Sequence, residues 1–498
     1  MAPAPDVPIS ETTPLLINHT SYLPPRAASP PVVDVKSYED GDDSVYDRFS
    51  RGEKRTILTI ISCSVLLTLF TSCSFTPVIP QIAEDLRTTG SIINFSVGLF
   101  ICTAAFGSLF WARYSGYYGR QPIYIVSLPI YILASFGVSL SHSVPTLLLF
   151  RALQAFGSCA FQSVGAGTIS DIYRLEERGR AMGVYYCLAL LGPAIAPFIG
   201  GLVAHHISWR IMQISLGIVG LIDLFCVITF LPETTHPGKR GIDRARLEQA
   251  LGDVDEKRGS VVLLNPFKAL GLMKSPVLLL ITLAMSTMMI TDFVIMLPIA
   301  YTIGQRYGIT NKALIGALFL PDGLGNMIGA PLSGILSDRT LSRLRRTRPS
   351  GPGSWIPEDR LHSTLPSALF IVPLTTLLLG FSIQYIDDVL WGVGVAVVLL
   401  GVHGVGMLLV AGPGATYCVD IMRERSAEVI AANYALRSFI TSVTILGILP
   451  AIETFGVVWT NGIAAALSWI GFALIWIVIR YGGPLRAWSS VRHTDGSP

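Results

Sequence analysis

Residues 183–201 read GVYYCLALLGPAIAPFIGG, and the fold follows from how this uncharged stretch can be accommodated. Gly192, Ala196 and Gly200 stand four apart, so they share one face of a helix. A stripe without bulky side chains lets a neighbouring helix come close in lipid, where small residues drive packing. Pro193 and Pro197 each remove a backbone donor and crowd the preceding turn, so the helix is expected to bend here. Gly183 lies half a turn round from Gly192 at about 100° per residue, and is expected to serve a different neighbour. Gly201 closes the stretch beside Gly200.

The rest of the chain has the same character. Of 498 residues, 51% are hydrophobic and 14% charged; a soluble protein carries about 25% charged residues. Twelve apolar segments are long enough to cross a hydrocarbon layer of about 30 Å. They fall near 56–78, 92–112, 121–140, 146–168, 182–204, 209–231, 276–300, 313–336, 364–384, 389–412, 427–450 and 457–480. Residues 1–54 are rich in Pro, Ser, Asp and Glu without hydrophobic period, and are expected to be a disordered tail. Residues 55–231 and 276–480 then hold six segments each. The connection, 232–275, is charged and contains an amphipathic stretch around Ile242–Leu251, as befits a linker lying against the bundle; 481–498 form a second tail.

Charge placement sets the orientation. With a cytosolic N-terminus, 30 of the 36 Lys and Arg fall in the tails and the loops after segments 2, 4, 6, 8 and 10. The opposite loops hold only Arg87, Arg210, Arg306 and Lys312. This is the positive-inside pattern, so both termini are expected in the cytosol and the chain in the plasma membrane as a multi-pass protein. Glu11, Leu15 and Leu16 fit an acidic dileucine address, which makes the vacuolar membrane the competing location. Asn18-His-Thr20 is a glycosylation sequon on the side where it stays unmodified. The seven Cys lie in or beside apolar segments at no metal-ligand spacing, and are read as small hydrophobes. No metal, cofactor or disulfide framework is expected, and nucleic acid is excluded as a partner.

Charged groups inside the apolar runs mark function, because burying them there is costly. Arg151 and Gln154 stand one turn apart in segment 4. Asp223, Asp292, Asp322, His403 and Arg437 lie in segments 6, 7, 8, 10 and 11, with Asn433 one turn from Arg437. Asp322, flanked by Pro321 and Gly323, is the leading candidate to load and release a proton, and Asp292 the second. Asp223 is assigned to structure. His403, between Gly401 and Gly404, titrates near neutrality when free, although a packing histidine is the commoner case. Asn433 and Arg437 are placed to meet substrate or to neutralise a carboxylate.

Other motifs repeat between the halves. Segment 2 leads into Gly116-Tyr-Tyr-Gly119-Arg120, and segment 8 into Gly334-Ile-Leu-Ser-Asp338-Arg339. Segment 4 ends Asp171-Ile-Tyr-Arg174, and segment 10 ends Asp420-Ile-Met-Arg423; both follow a Gly-x-Gly. An internal repeat of six helices explains these pairs.

The 183–201 stretch resembles the antiporter motif in the fifth helix of major facilitator superfamily drug:proton antiporters, with Ala196 where that pattern has glycine. LLLFRALQAFG resembles the superfamily's helix-4 signature, with Ala155 in place of Gly. Gly119 and Arg120 match its first signature, but Gly116 stands where an acid is expected. The charge relay at the cytosolic gate is then either carried by the second half, through Asp338, Arg339 and Asp420, or completed by Asp171. SVGAGTISDIYRLEERGRAMG and the tail of segment 11 resemble the quinidine-resistance and dityrosine-exporter branch of the fungal twelve-helix drug:proton antiporter family.

The expectation is an all-α membrane protein of 12 transmembrane helices in two pseudo-symmetric six-helix bundles, the major facilitator fold. The resemblance implies a monomeric secondary transporter, exporting a small molecule in exchange for protons by alternating access within the lipid bilayer. An uptake symporter or facilitator on the same fold, and a non-transporting sensor, are the competing readings. No GxxxxGK[ST] occurs, and no nucleophile–base or metal-ligand spacing, so an enzyme is not expected.

Overall fold

Each of the twelve apolar segments is a helix in the computed structural model, which describes residues 43–236, 238, 240–250, 264–347, 356–422 and 426–494. The tail motifs at Glu11–Leu16 and Asn18 lie outside these residues, as do parts of the linker and of the basic loop after segment 8. The spans are α1 (Arg51–Asp85), α2 (Gly90–Tyr118), α3 (Arg120–Ser139), α4 (Val144–Ile172), α5 (Arg180–His206) and α6 (Trp209–Phe230). The second half supplies α7 (Pro276–Met296), α8 (Lys312–Leu344), α9 (Pro357–Tyr385), α10 (Val389–Ile421), α11 (Glu428–Phe455) and α12 (Val457–Arg486). No strand occurs among the described residues.

Several helices outrun their apolar windows, because helical hydrogen bonding continues where side chains turn polar. Ser50 caps α1, accepting from the Glu53 amide while the Glu53 carboxylate accepts from the Ser50 amide, so the helix starts at Arg51 rather than 56. Helix α10 continues nine residues past the expected end at 412, to Ile421, and α8 runs on through Ser-, Arg- and Leu-bearing turns to Thr347. Two helices break instead of running straight. Helix α1 stops at Cys73 and resumes at Ile79 after a 3₁₀ turn, where Pro77 and Pro80 cannot donate. Helix α8 divides into Lys312–Ala317 and Leu320–Thr347, so Asp322 sits in the first turn of its longer piece. Helix α5 stays continuous through Pro193 and Pro197.

The "near end" below is where α1 begins and α12 finishes; the "far end" is opposite. Near the near end the two halves have separate cores. One gathers residues from Ile57 to Leu231, around Tyr124, Tyr131, Phe161 and Tyr185. The other gathers Leu272 to Val478, around Met285, Met288 and Tyr417. At the far end a single core spans both halves, joining Phe75, Val78 and Ile93 to Ile290, Val294, Leu297 and Ile445. The Asn94 amide donates across this seam to the Ile445 carbonyl at 2.9 Å. The bundles are therefore sealed at the far end and parted at the near end. A small cluster of Ala105, Leu109 and Ala435 bridges α2 and α11, backed by Leu270 of the 3₁₀ segment Pro266–Lys274.

The 183–201 stretch builds much of the seal. A Cβ on Gly200 would come 2.5 Å from the Ser74 carbonyl, and one on Gly192 would come 2.9 Å from Leu69 Cβ, so both face α1. Gly201 abuts the Lys312 backbone, Gly316 abuts Pro197, and Gly323 abuts Ala194, so the opposite side of α5 is pressed against α8. The small-residue stripe thus works as the sequence implies, with backbone against backbone on two sides. Gly183 does not: a Cβ there would meet nothing within 4 Å. It lies on the parted side, where α5 and α8 have separated. The linker helix Gly241–Ala250 rests on Tyr117 at the end of α2, as expected for a strap against the bundle.

Candidate functional site

Three of the sequence candidates converge in the second half. At 1.5 Å per residue, Asp322 lies about 15 Å into α8 from its far end, which is close to mid-membrane. His403 of α10 reaches it because α8 and α10 cross with almost no side chains between them. A Cβ on Gly404 would overlap the Asp322 carbonyl, and one on Gly325 would overlap the Gly401 carbonyl. His403 Nδ1 stands 3.4 Å from Asp322 Oδ1, and its Nε2 3.4 Å from Thr291 Oγ1 of α7. Asn326 donates from Nδ2 to Asp322 Oδ2 at 2.9 Å. Asp292 completes the group: one ligand-type atom from each of Asp292, Asp322 and His403 lies within 4.8 Å of the others. Its Oδ1 is buried and has no hydrogen-bond partner, as has Asn326 Oδ1. Two carboxyls and an imidazole at this separation cannot all carry charge without strong mutual effects, so the cluster is suited to exchange protons with a changing environment. Asn326 and Thr291 are partners that the spacing of acids alone does not reveal, although Asn326 stands one helical turn from Asp322.

The structure does not bring Arg151 into ion-pair contact with these acids. Its guanidinium is fully buried and sandwiched between Phe75, 4.1 Å from the ring centroid, and Phe100, at 4.3 Å. Nη1 donates to Gln154 Oε1 at 2.8 Å. Gln154 in turn donates to Ser135 Oγ at 2.8 Å and to Gln213 Oε1 at 3.0 Å. Gln213 and the two rings are members of this site that lay hidden in segments 1, 2 and 6. Asn433 points into the second bundle and donates to Thr282 Oγ1 at 2.8 Å. Arg437, one turn on, is half-buried and lies 6.0 Å from the Tyr434 ring, with no carboxylate in ion-pair reach among the described residues. Asp223 accepts from Ser64 Oγ at 2.8 Å, tying α6 to α1, the structural role expected of it.

At the near end the two halves carry matching charge clusters. Arg120, at the start of α3, bonds to Asp171 at the end of α4, with Nε 2.9 Å from Oδ2. Its Nη1 also donates to Ser115, and its backbone amide to Glu233. Gly119 supplies the turn with φ of 108°, and a Cβ there would strike the Glu233 carboxylate. Asp171 therefore occupies the role left open by Gly116. In the second half, Arg360 holds Asp420 at 2.9 Å and Asp338 at 3.4 Å. Arg339, the residue expected there, is exposed and apart from both acids. Arg360 relates to α9 and Asp420 as Arg120 relates to α3 and Asp171. That repeat register is the signal that points to it.

Comparison with known proteins agrees with this architecture. A bacterial homologue of the human lysosomal transporter Spinster, in an inward-facing and unoccupied conformation, superposes with a TM-score of 0.63 at 14% identity, covering 87% of this chain and 98% of that one. The efflux pump radE of Floropilus chiversii is 28% identical over 86% of this chain and 80% of its own length. The MFS-type transporter MFS19 of Alternaria alternata is 30% identical over 87% and 89%, and the MFS antiporter QDR3 of Candida albicans 22% over 85% and 76%. The family profile described as Major Facilitator Superfamily matches residues 60–445. Twelve helices in two six-helix bundles and a profile match across both make the conclusion plain: the chain belongs to the Major Facilitator Superfamily, and is a multi-pass secondary transporter rather than an enzyme.

Proposed function

We propose that the protein exports a small organic molecule in exchange for protons, by alternating access between its two bundles. The carrying observation is the Asp292–Asp322–His403 cluster, held at mid-membrane by the glycine crossing of α8 and α10. Export rather than uptake is supported by the 183–201 stretch and by relatives named as an efflux pump and an antiporter. The positive-inside pattern puts the near end in the cytosol, with both termini. On that orientation the parted state faces the cytosol and is the one that loads cargo. The plasma membrane is the proposed location.

In the proposed cycle, cargo enters the gap between the bundles from the cytosol. The far-end seal then opens while the near end closes, and cargo leaves outside. A proton taken up by the acid cluster from the outer face returns inward and resets the transporter. The Arg120–Asp171 and Arg360–Asp420 clusters brace the helix ends within each bundle, so each bundle rocks as a rigid unit. A monomer is sufficient for these steps.

The direction is tested in inside-out vesicles from cells overexpressing the protein, with the vesicle interior made acidic. Uptake of a labelled compound that collapses on adding a protonophore supports exchange for protons. Uptake of the same size with and without the gradient rules it out in favour of facilitated diffusion.

A further inference from the structure

The two bundles differ in what their buried polar atoms lack. In the second bundle the unpartnered atoms of the acid cluster are acceptors, Asp292 Oδ1 and Asn326 Oδ1. Around Arg151 they are donors: Arg151 Nε and Nη2, and Gln213 Nε2. Arg437 Nε is a fourth unpartnered donor, on α11. Neither guanidinium forms an ion pair with a carboxylate among the described residues. The nearest acid in the first bundle, Asp223, is engaged by Ser64. A buried charge keeps its place only when something offsets its lost hydration. For Arg151 the two aromatic faces and one Gln oxygen do part of this, and two N–H directions remain open. An Arg fork presents those directions in a plane that fits a carboxylate.

We propose that the transported molecules are organic anions, and that Arg437 and Arg151 bind their carboxylate group. Arg437 receives the anion first. It is half-buried, and its stacking partner Tyr434 lies close enough to Cys159 of α4 for the two to interact across the gap between the bundles. Arg151 takes part later. One of the rings capping it, Phe75, belongs to the far-end core that joins the bundles, so parting that seal withdraws the ring from the guanidinium. The remaining cap, Phe100, leaves an aromatic wall suited to an apolar or aromatic body on the anion. The separation of charge also keeps cargo and proton apart, with anion on the guanidinium groups and proton on the acid cluster. The inference rests on the transport reading for what the bound anion is used for, but not for whether it binds.

The test uses the full chain in lipid nanodiscs at neutral pH. Thermal unfolding is followed with salicylate, indole-3-acetate and octanoate, with the amide of each, and with tetraphenylphosphonium. The expected result is a rise in Tm of several degrees with at least one carboxylate and none with its amide. Arg437→Gln and Arg151→Gln each abolish the rise, and Arg151→Lys restores part of it. No rise with any carboxylate, an equal rise with the amides, a rise confined to tetraphenylphosphonium, or a carboxylate rise that survives both Gln variants overturns the proposal. If Arg151→Gln does not fold, Arg437→Gln and Arg151→Lys still decide it. Carboxylate binding that passes this test while flux ignores an imposed pH gradient would end the antiport reading and leave the anion site standing.

Discussion

Replacing Gly404 with Ala tests whether the α8–α10 crossing builds the acid site. The added Cβ would overlap the Asp322 carbonyl and come 3.0 Å from the Asn326 amide nitrogen. Both contacts are to backbone, so no side chain can swing aside and the helices must separate. Overpacking of this kind costs about 1–3 kcal/mol, and one or two kcal/mol already changes a folded-to-unfolded ratio by about 5–30-fold. Separation also lengthens the 3.4 Å contact between His403 Nδ1 and Asp322 Oδ1 beyond hydrogen-bond range. The assay is thermal unfolding of the purified protein alongside gradient-driven transport in vesicles at matched abundance. Gly404→Ala is expected to lower Tm and to reduce gradient-driven transport at least tenfold. Gly447→Ala is the opposing control: that glycine is exposed in α11 with nothing within 4 Å of a Cβ, so Ala there is expected to hold or raise Tm. If Gly404→Ala matches the native protein in both stability and transport, the crossing does not set the site and the reasoning fails.

Arg360→Gln is expected to slow transport severalfold by releasing Asp420 and Asp338, whereas Arg339→Gln leaves the rate unchanged; equal rates in initial-uptake measurements would remove Arg360 from the near-end cluster. Gly200→Leu is expected to hold the far end open, since its side chain cannot pass the Ser74 carbonyl. Labelling of Cys73 by an impermeant maleimide from the far side, with the other cysteines replaced, checks this, and labelling no faster than in the glycine protein counts against it. In the linker, the Arg240 guanidinium donates to both oxygens of Asp243, holding that carboxyl below its ordinary value of 3.8. A depressed carboxylate stabilises above its ordinary value, and the contribution is lost as pH falls through the folded value. Hydrogen exchange in 241–250 is therefore expected to be unchanged from pH 7 to 5 after correction for intrinsic rates, and faster below about pH 3.8, by a small factor because the pair is near solvent. Protection that is independent of pH down to 2.5 contradicts the pairing.

The fold was legible because the bilayer restricts the choices. Lipid admits only elements that satisfy their own backbone, so twelve uncharged runs imply twelve helices. Their ends were less legible, since α1, α8 and α10 continue past the apolar windows on capping and helical hydrogen bonds that hydropathy does not see. Within the site, ionisable residues in apolar runs identified Arg151, Asp292, Asp322 and His403 as unusual, because each is expensive to bury. Which of them meet was not readable. It depends on Gly325 and Gly404 lying at the same crossing, a property of two helices separated by a loop, a further helix and a turn. The aromatic cap on Arg151 was hidden for another reason. Phe75 and Phe100 look like ordinary membrane residues until the fold lays them on a guanidinium. Arg360 was passed over in favour of Arg339 because adjacency in sequence was taken for adjacency in space, while the internal repeat pointed to the start of α9.

The account stands or falls on whether proton exchange runs through the Asp292–Asp322–His403 cluster. The direct measurement compares the native protein with Asp322→Asn in proteoliposomes, scoring accumulation of a labelled carboxylate against its gradient under an imposed pH difference, and separately its counterflow exchange without one. The native protein is predicted to do both. Asp322→Asn is predicted to keep counterflow and to lose accumulation, because cargo still crosses but no longer trades with protons. Accumulation at the native level in Asp322→Asn, and again in Asp292→Asn, would contradict the central claim.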